Sequence, residues 1–153
     1  MRTLAIDPGV SGGLAWTDED GIVQAEPMPE GMTAICDRLR ELRAEGIGAA
    51  VVERVGTYMP GNAGPAAATF ARHCGHLDAT LYCLGYSAPQ GPTPAQWQKI
   101  VPGLPKGTGA EKADRKRAIK EAMARRYPHL RVTLKTADAL GILTWANNNR
   151  GGQ

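Results

Sequence analysis

The chain has 153 residues, three cysteines and a net charge of +3, a length that suits one domain burying roughly two-thirds of the surface its unfolded chain exposes, with no disulfide or metal needed to fold it. It has no run of eighteen apolar residues and no charged-then-apolar N-terminal pattern, so the expectation is a cytoplasmic protein without membrane span or export signal. Cys36, Cys74 and Cys83 lack metal-ligand spacing and read as small reduced core residues, which argues against a zinc site.

Leu4, Ala5 and Ile6 read as a buried strand that delivers Asp7 to Pro8-Gly9, a dipeptide that ends strands and starts turns. Gly12-Gly13 let the backbone reverse before Leu14, Ala15 and Trp16 resume the apolar run, which predicts a β-hairpin with Asp7 at its mouth. An Asp in this setting also caps turns, so partners are needed to give it a chemical role. A third strand is expected over Gly21 to Glu26, ended by Pro27 and Pro29. Met32, Ile35, Cys36, Leu39 and Leu42 then recur at helical spacing, predicting a helix over 33–44 that Gly46 and Gly48 close. Ala49 to Glu53 is a second short apolar strand ending in an acid, a repeat of the Leu4 to Asp7 pattern.

The loop from Gly56 to Pro65 is too rich in Gly and Pro for regular structure and leads into a helix over 66–84, with Phe70, Cys74, Leu77, Leu81 and Leu84 as its apolar stripe. Ala66 to Ala68, Ala71 and Gly75 form a second, small-residue face, suited either to plain core packing or to a dimer seam. His73 and His76 read as helix-surface or interface residues. Gly85 to Pro89 is expected as a fifth strand, and 92–105 as irregular chain with a helical turn around Trp97, whose large apolar surface reads as a core anchor. Ala110 to Tyr127 is helical, with Ile119, Met123 and Tyr127 on one side and Lys112, Arg115, Lys116 and Lys120 largely elsewhere. A last helix over 136–148 carries Asp138 in its first turn, and 149–153 is expected to fray. The expectation is a single α/β domain over 1–148 with a five-stranded mixed sheet flanked by helices.

Charge is unevenly spread along this order. Residues 1–57 carry ten acids against five basic residues, whereas 99–135 carry eleven Lys and Arg against three acids. Such a block is either a solvated helix face or the footprint of a phosphate-backbone partner. Asp7, Glu53 and Asp138 end the first strand, end the fourth and begin the last helix, so neighbouring strand ends beneath a helix N-terminus would bring three carboxylates together. That is costly unless a cation binds between them, and oxygen-only ligands suit Mg²⁺ or Mn²⁺. Two such ions about 3.5–4 Å apart clamp the attacking water and leaving oxygen of an in-line phosphodiester displacement.

Taken together, IDPGVSGGLAW, VVERVG, the MPGNAG loop with its helix, TPAQWQKIVPG, GAEKADRKRAIKEAMARRYP and TADALGI resemble the RuvC-type Holliday-junction resolvases from Leu4 to about Ala146, most closely their phage and organellar branch. The resemblance implies an RNase H-like fold, a homodimer, and paired symmetric nicks in four-way DNA with two Mg²⁺ ions per site, Mn²⁺ substituting. It implies Asp7, Glu53 and Asp138 as metal ligands and Lys112 as the lysine of the family's basic helix. Three positions before its last acid the family usually has a fourth acid or a His; Lys135 stands there, and while protonated it has no lone pair for a metal. Its expected roles are to neutralise the acids, to contact the scissile phosphate or to mark a weakened second metal site, unless it points to solvent. Tyr58 falls where the family places a base-stacking aromatic, and ordinary loop packing is the alternative. Lys99, Lys106, Lys112, Arg115 and Lys116 are expected phosphate contacts as a group, and a self-complementary face of the 66–84 helix is the expected dimer seam. Two rivals stand beside this reading: a catalytically silent junction-binding protein, motivated by Lys135, and a phosphotransferase of the actin and sugar-kinase type, which needs more chain and a second phosphate-binding hairpin.

Overall fold

The structure is a computed structural model and describes residues 1–56, 64–104 and 110–150. Strands β1 (Arg2–Asp7), β2 (Gly13–Thr17) and β3 (Val23–Pro27) form an antiparallel meander; helix α1 (Met32–Ala44) then leads to β4 (Ile47–Val52), which pairs parallel to β1. The order across the sheet is β3-β2-β1-β4. Among the described residues four α-helices follow, α2 (Pro65–Cys83), α3 (Pro94–Trp97), α4 (Ala110–Arg126) and α5 (Ala137–Arg150), with a short 3-10 turn (Gln98–Ile100) after α3. The last of these runs two residues beyond the expected end at Asn148.

The sheet has four strands among the described residues, not the five expected. The segment expected as the fifth contributes one parallel bridge, Ala49 with Ser87, in which Ser87 N–H donates to the Gly48 carbonyl and Ala50 N–H to that of Ser87. Gly85 has φ 72, which breaks extended backbone on one side of the bridge. On the other side Pro89 has no N–H to continue the ladder.

Residue size alternates along the central strands, and this places the helices. Leu4, Ile6, Leu14 and Trp16 pack on one face with Ile35, Leu39 and Leu42 of α1 and Leu77 and Leu81 of α2. Ala5, Ala15 and Val51 point to the other face and meet α5, supported by Ile119 and Met123 of α4 and by Trp97. The small residues on this face let α5 approach the backbone closely: at Gly13 any Cβ would collide with the Lys135 carbonyl just ahead of α5. Gly141 of α5 likewise leaves the space filled by the Trp97 ring. Six hydrophobic residues of α5, Ala137, Ala139, Leu140, Ile142, Leu143 and Ala146, are buried along with Gly141 and Thr144, as expected of a helix covered by both the sheet and α4.

Two expectations about α2 change. Its buried stripe is His73, Leu77 and Leu81, so His73 is a buried residue and not a surface one; Phe70 and Cys74 are only partly buried. Cys83 is exposed, so only Cys36 and Cys74 keep even part of the core role read for the cysteines.

Candidate active site

Asp7 and Glu53 are neighbours because β1 and β4 are parallel. Ile6 pairs with Val52, and Glu53 N–H donates to the Ile6 carbonyl (3.0 Å), one step before both chains leave the sheet at their carboxyl ends. Asp138 arrives from the opposite layer. A turn in which Thr136 Oγ1 accepts from Thr133 N–H (3.0 Å) starts α5, and the close approach at Gly13 holds this helix start against the hairpin, with Asp138 in its first turn.

All three acids are partly buried, and each feels it. Burial, then Asp138, then Glu53 push the Asp7 carboxyl up to about 8, against a smaller downward pull from Lys116. Burial raises Glu53 most; a hydrogen bond from Trp97 pulls the other way and Asp138 adds to the rise. Burial also raises Asp138, and Lys116 lowers it. Acids raised by burial and like charges favour the protonated form and ionise readily only beside a cation, so the chemistry of the donor set fits a hard divalent ion. The three side chains are coupled but not yet gathered: among the described residues, no three His, Cys, Asp or Glu side chains stand close enough to hold a metal ion. The carboxylate of Glu53 is instead anchored on one side, where Oε1 accepts from Trp97 Nε1 at 2.5 Å.

A cavity of about 450 Å³ opens over Asp7 and Asp138, bounded by the hairpin turn from Pro8 to Gly12, by Thr69, Phe70 and His73 of α2, and by Lys116 of α4. Gly9 (φ 112) faces the Phe70 ring, from which a Cβ would stand 3.4 Å. At Gly9 the turn therefore presents backbone to the ring, and Val10 and Ser11 line the cleft beside it.

The other sequence-derived candidates separate into groups. Lys116 reaches the acids; Lys112, one turn earlier on α4, is exposed and does not line the cleft. Lys99 and Arg115 share a different cavity of about 610 Å³ with Gln98, Pro102 and Gly103. Lys135 is exposed and lines a neighbouring cavity, not the one over Asp7 and Asp138. Tyr58 and Lys106 lie outside the described residues. Sequence reasoning missed two residues at the site. Trp97, read from sequence only as a core anchor, is one, at 0 % exposure, but its N–H also holds Glu53. Phe70, read as part of a packing stripe, is the single phenylalanine of the chain and forms the aromatic wall of the cleft.

No protein-family model matches the chain, and no curated protein matches its sequence. Solved structures do. RuvC from T. thermophilus in complex with Holliday junction substrate superposes with a TM-score of 0.66 at 20% identity, over 99% of this chain and 96% of that one. A Thermus thermophilus RuvC structure gives 0.60 at 23% identity, over 99% and 97%. The chain therefore shares the fold of these RuvC structures, an α/β architecture of a mixed sheet flanked by helices.

Proposed function

We propose that this chain is a junction-resolving endodeoxyribonuclease that makes paired nicks in four-way DNA by metal-dependent hydrolysis. The observation that carries the reading is the acid trio itself. On the fold of a protein that was solved on a Holliday junction, Asp7 and Glu53 end adjacent parallel strands and Asp138 faces them from a helix start, all three with raised pKa values. Three mutually repelling carboxylates beside a lysine-bearing helix suit a metal-dependent phosphoryl site better than any general acid–base pair.

Asp7, Glu53 and Asp138 would hold Mg²⁺ or Mn²⁺, which supplies an activated water and charge stabilisation at the leaving oxygen. The remaining work falls to the chain's own residues. Trp97 fixes one oxygen of Glu53 and so leaves Oε2 as its free lone-pair donor. Lys116 brings positive charge to the same cleft, where it offsets the acids and meets the anionic strand. Phe70 offers a flat apolar wall beside the bare backbone of Gly9. Lys99 and Arg115 flank a separate depression on the α4 side, suited to backbone contact away from the nick. In the net reaction one P–O bond of the strand breaks as the oxygen of water bonds phosphorus, and the leaving oxygen takes up a proton.

Two opposed nicks need two sites related by a two-fold axis. The outward side of α2, with Ala71, Gly75, Asp78 and the 85 % exposed Tyr82, is the surface proposed to supply it. A Cβ built at Gly75 meets nothing within 4 Å among the described residues.

A second reading, a junction-binding protein with little or no cleavage, is favoured by the ungathered acids and by Lys135 at the position where the sequence resemblance calls for an acid or His. One experiment separates the two: a labelled four-way junction and a linear duplex, each incubated with the purified protein with and without Mg²⁺. Symmetric, Mg²⁺-dependent nicks confined to the junction support the nuclease. Binding without nicks supports the second reading.

A further inference from the structure

Beside the acid cleft lies a second cavity, of about 630 Å³, and the two share the walls Val10, Ser11, Thr69 and His73. Its chemistry has the opposite sign. Arg72 and His76, one turn apart on α2, line it together with Lys135, which stands just ahead of α5; Glu30 at its rim is the only carboxylate lining it among the described residues. Neither Arg72 nor Lys135 is in an ion pair among the described residues.

The N-terminus of α1 opens on the same space through Gly31, Met32 and Ile35. Gly31, with φ 82, gives this helix of 13 residues no side-chain cap, and its first turn contains no acid. Its first N–H groups and the positive end of its dipole are therefore offered to an anion. His73, 8 % exposed, stands on the wall that the two cavities share, and its buried Nε2 has no hydrogen-bond partner among the described residues.

We propose that this cavity is a second phosphate subsite, holding a phosphodiester of the same DNA strand beside the scissile one; the proposal rests on the nuclease reading. The acid cleft by itself repels a polyanion, so a strand laid across Asp7 and Asp138 needs compensating charge close by, and the shared wall puts Arg72, Lys135 and the α1 N-terminus on its path. Lys135 then has a role that needs no lone pair: it binds substrate where the resemblance calls for a metal ligand.

The test is a double-variant cycle on the full chain. Junctions with a single uncharged methylphosphonate linkage beside the nick position are compared with the unmodified junction, using wild type and Arg72→Gln with Lys135→Gln. For the wild type, the uncharged linkage should weaken binding about tenfold, and the variant should show a similar loss on the unmodified junction with a salt slope shallower by about one unit. Because the two changes remove the same interaction from opposite sides, the variant should lose little more on the modified junction. Additive losses at every flanking position, or an unchanged salt slope, overturn the subsite while leaving the nuclease reading intact, provided wild type nicks the unmodified junction. Wild type that neither binds nor nicks it overturns both. Inorganic phosphate that raises the melting temperature of wild type but not of the variant, with equal junction affinities, reassigns the cavity to a free anion and overturns the proposal.

Discussion

Asp7→Asn should stabilise the metal-free protein at mildly alkaline pH while abolishing nicking. The sign follows from the direction of the shift. Asp7 is raised from its ordinary value near 3.8 to about 8 in the folded chain, so the folded state holds the proton more tightly than the unfolded one. Its contribution is fully present below the unfolded value and is lost as pH rises toward about 8. A shift of this size corresponds to roughly 6 kcal/mol at most, at about 1.4 kcal/mol per unit. The effective dielectric near such clefts and their relaxation reduce this to about 2–3 kcal/mol. For a chain of this length that is a melting-temperature difference of about 4–12 °C. Thermal melts in EDTA from about pH 5 to about pH 8 should therefore show wild type losing that much relative to Asp7→Asn. Added Mg²⁺ should restore wild type only, because the amide lacks the charge that binds it. Parallel melting curves for the two proteins across this range would refute the burial of Asp7 beside Glu53 and Asp138.

Trp97→Phe keeps the ring in the core and removes the donor to Glu53; it should raise the Mg²⁺ midpoint for nicking and cut activity by about 10–100-fold, and a drop in melting temperature with an unchanged metal midpoint would leave Trp97 a packing residue only. Neutralising Lys112, Arg115 and Lys116 together should weaken binding to junctions of any sequence and flatten the salt dependence by about one unit for each phosphate no longer neutralised, which a binding titration from low to high salt checks. Gly75→Glu should turn a two-fold assembly into monomers in sedimentation experiments while leaving the fold intact, since that position is open on the free face of α2; a wild type that is monomeric with and without junction DNA would instead remove α2 as the seam.

Much of the fold is legible in sequence because it rests on local pattern. Leu4, Ala5 and Ile6 ending at Asp7-Pro8-Gly9 are buried strand and turn in the structure as in the sequence, and the spacing of Ile35, Leu39 and Leu42 gives α1 its core face. Failures fall where partners distant in sequence decide the outcome. The segment from Gly85 to Pro89 has strand-like composition, but strand length is set by how many ladder bonds it makes with β4, and Gly85 and Pro89 restrict them to the pair around Ser87. His73 is a different case. It lies four and eight residues before Leu77 and Leu81, so the helical period already puts it on the buried stripe, and only its polarity argues for the surface.

The site divides along the same line. Acids at strand ends and at a helix start are visible in sequence because position in an element fixes which way the chain presents them, and Asp7, Glu53 and Asp138 do influence one another. Which cation reaches them is a question of helix phase against α5: Lys116 stands one turn nearer the buried Ile119 than Lys112 does, and it alone of the two enters the cleft. The bond from Trp97 to Glu53 joins residues 44 apart and depends on Gly141 of a third element vacating the space beside the ring, so no single stretch of sequence encodes it. Lys135 shows how far position alone can carry an argument. Its carbonyl is pinned against Gly13, which fixes where α5 begins and hence where Asp138 sits, while its side chain lines the cavity with Arg72 and His76. Backbone and side chain at one position thus act on two different cavities. A substitution there that keeps the backbone, such as Lys135→Gln, should leave the acid trio in place and alter only what the neighbouring cavity binds.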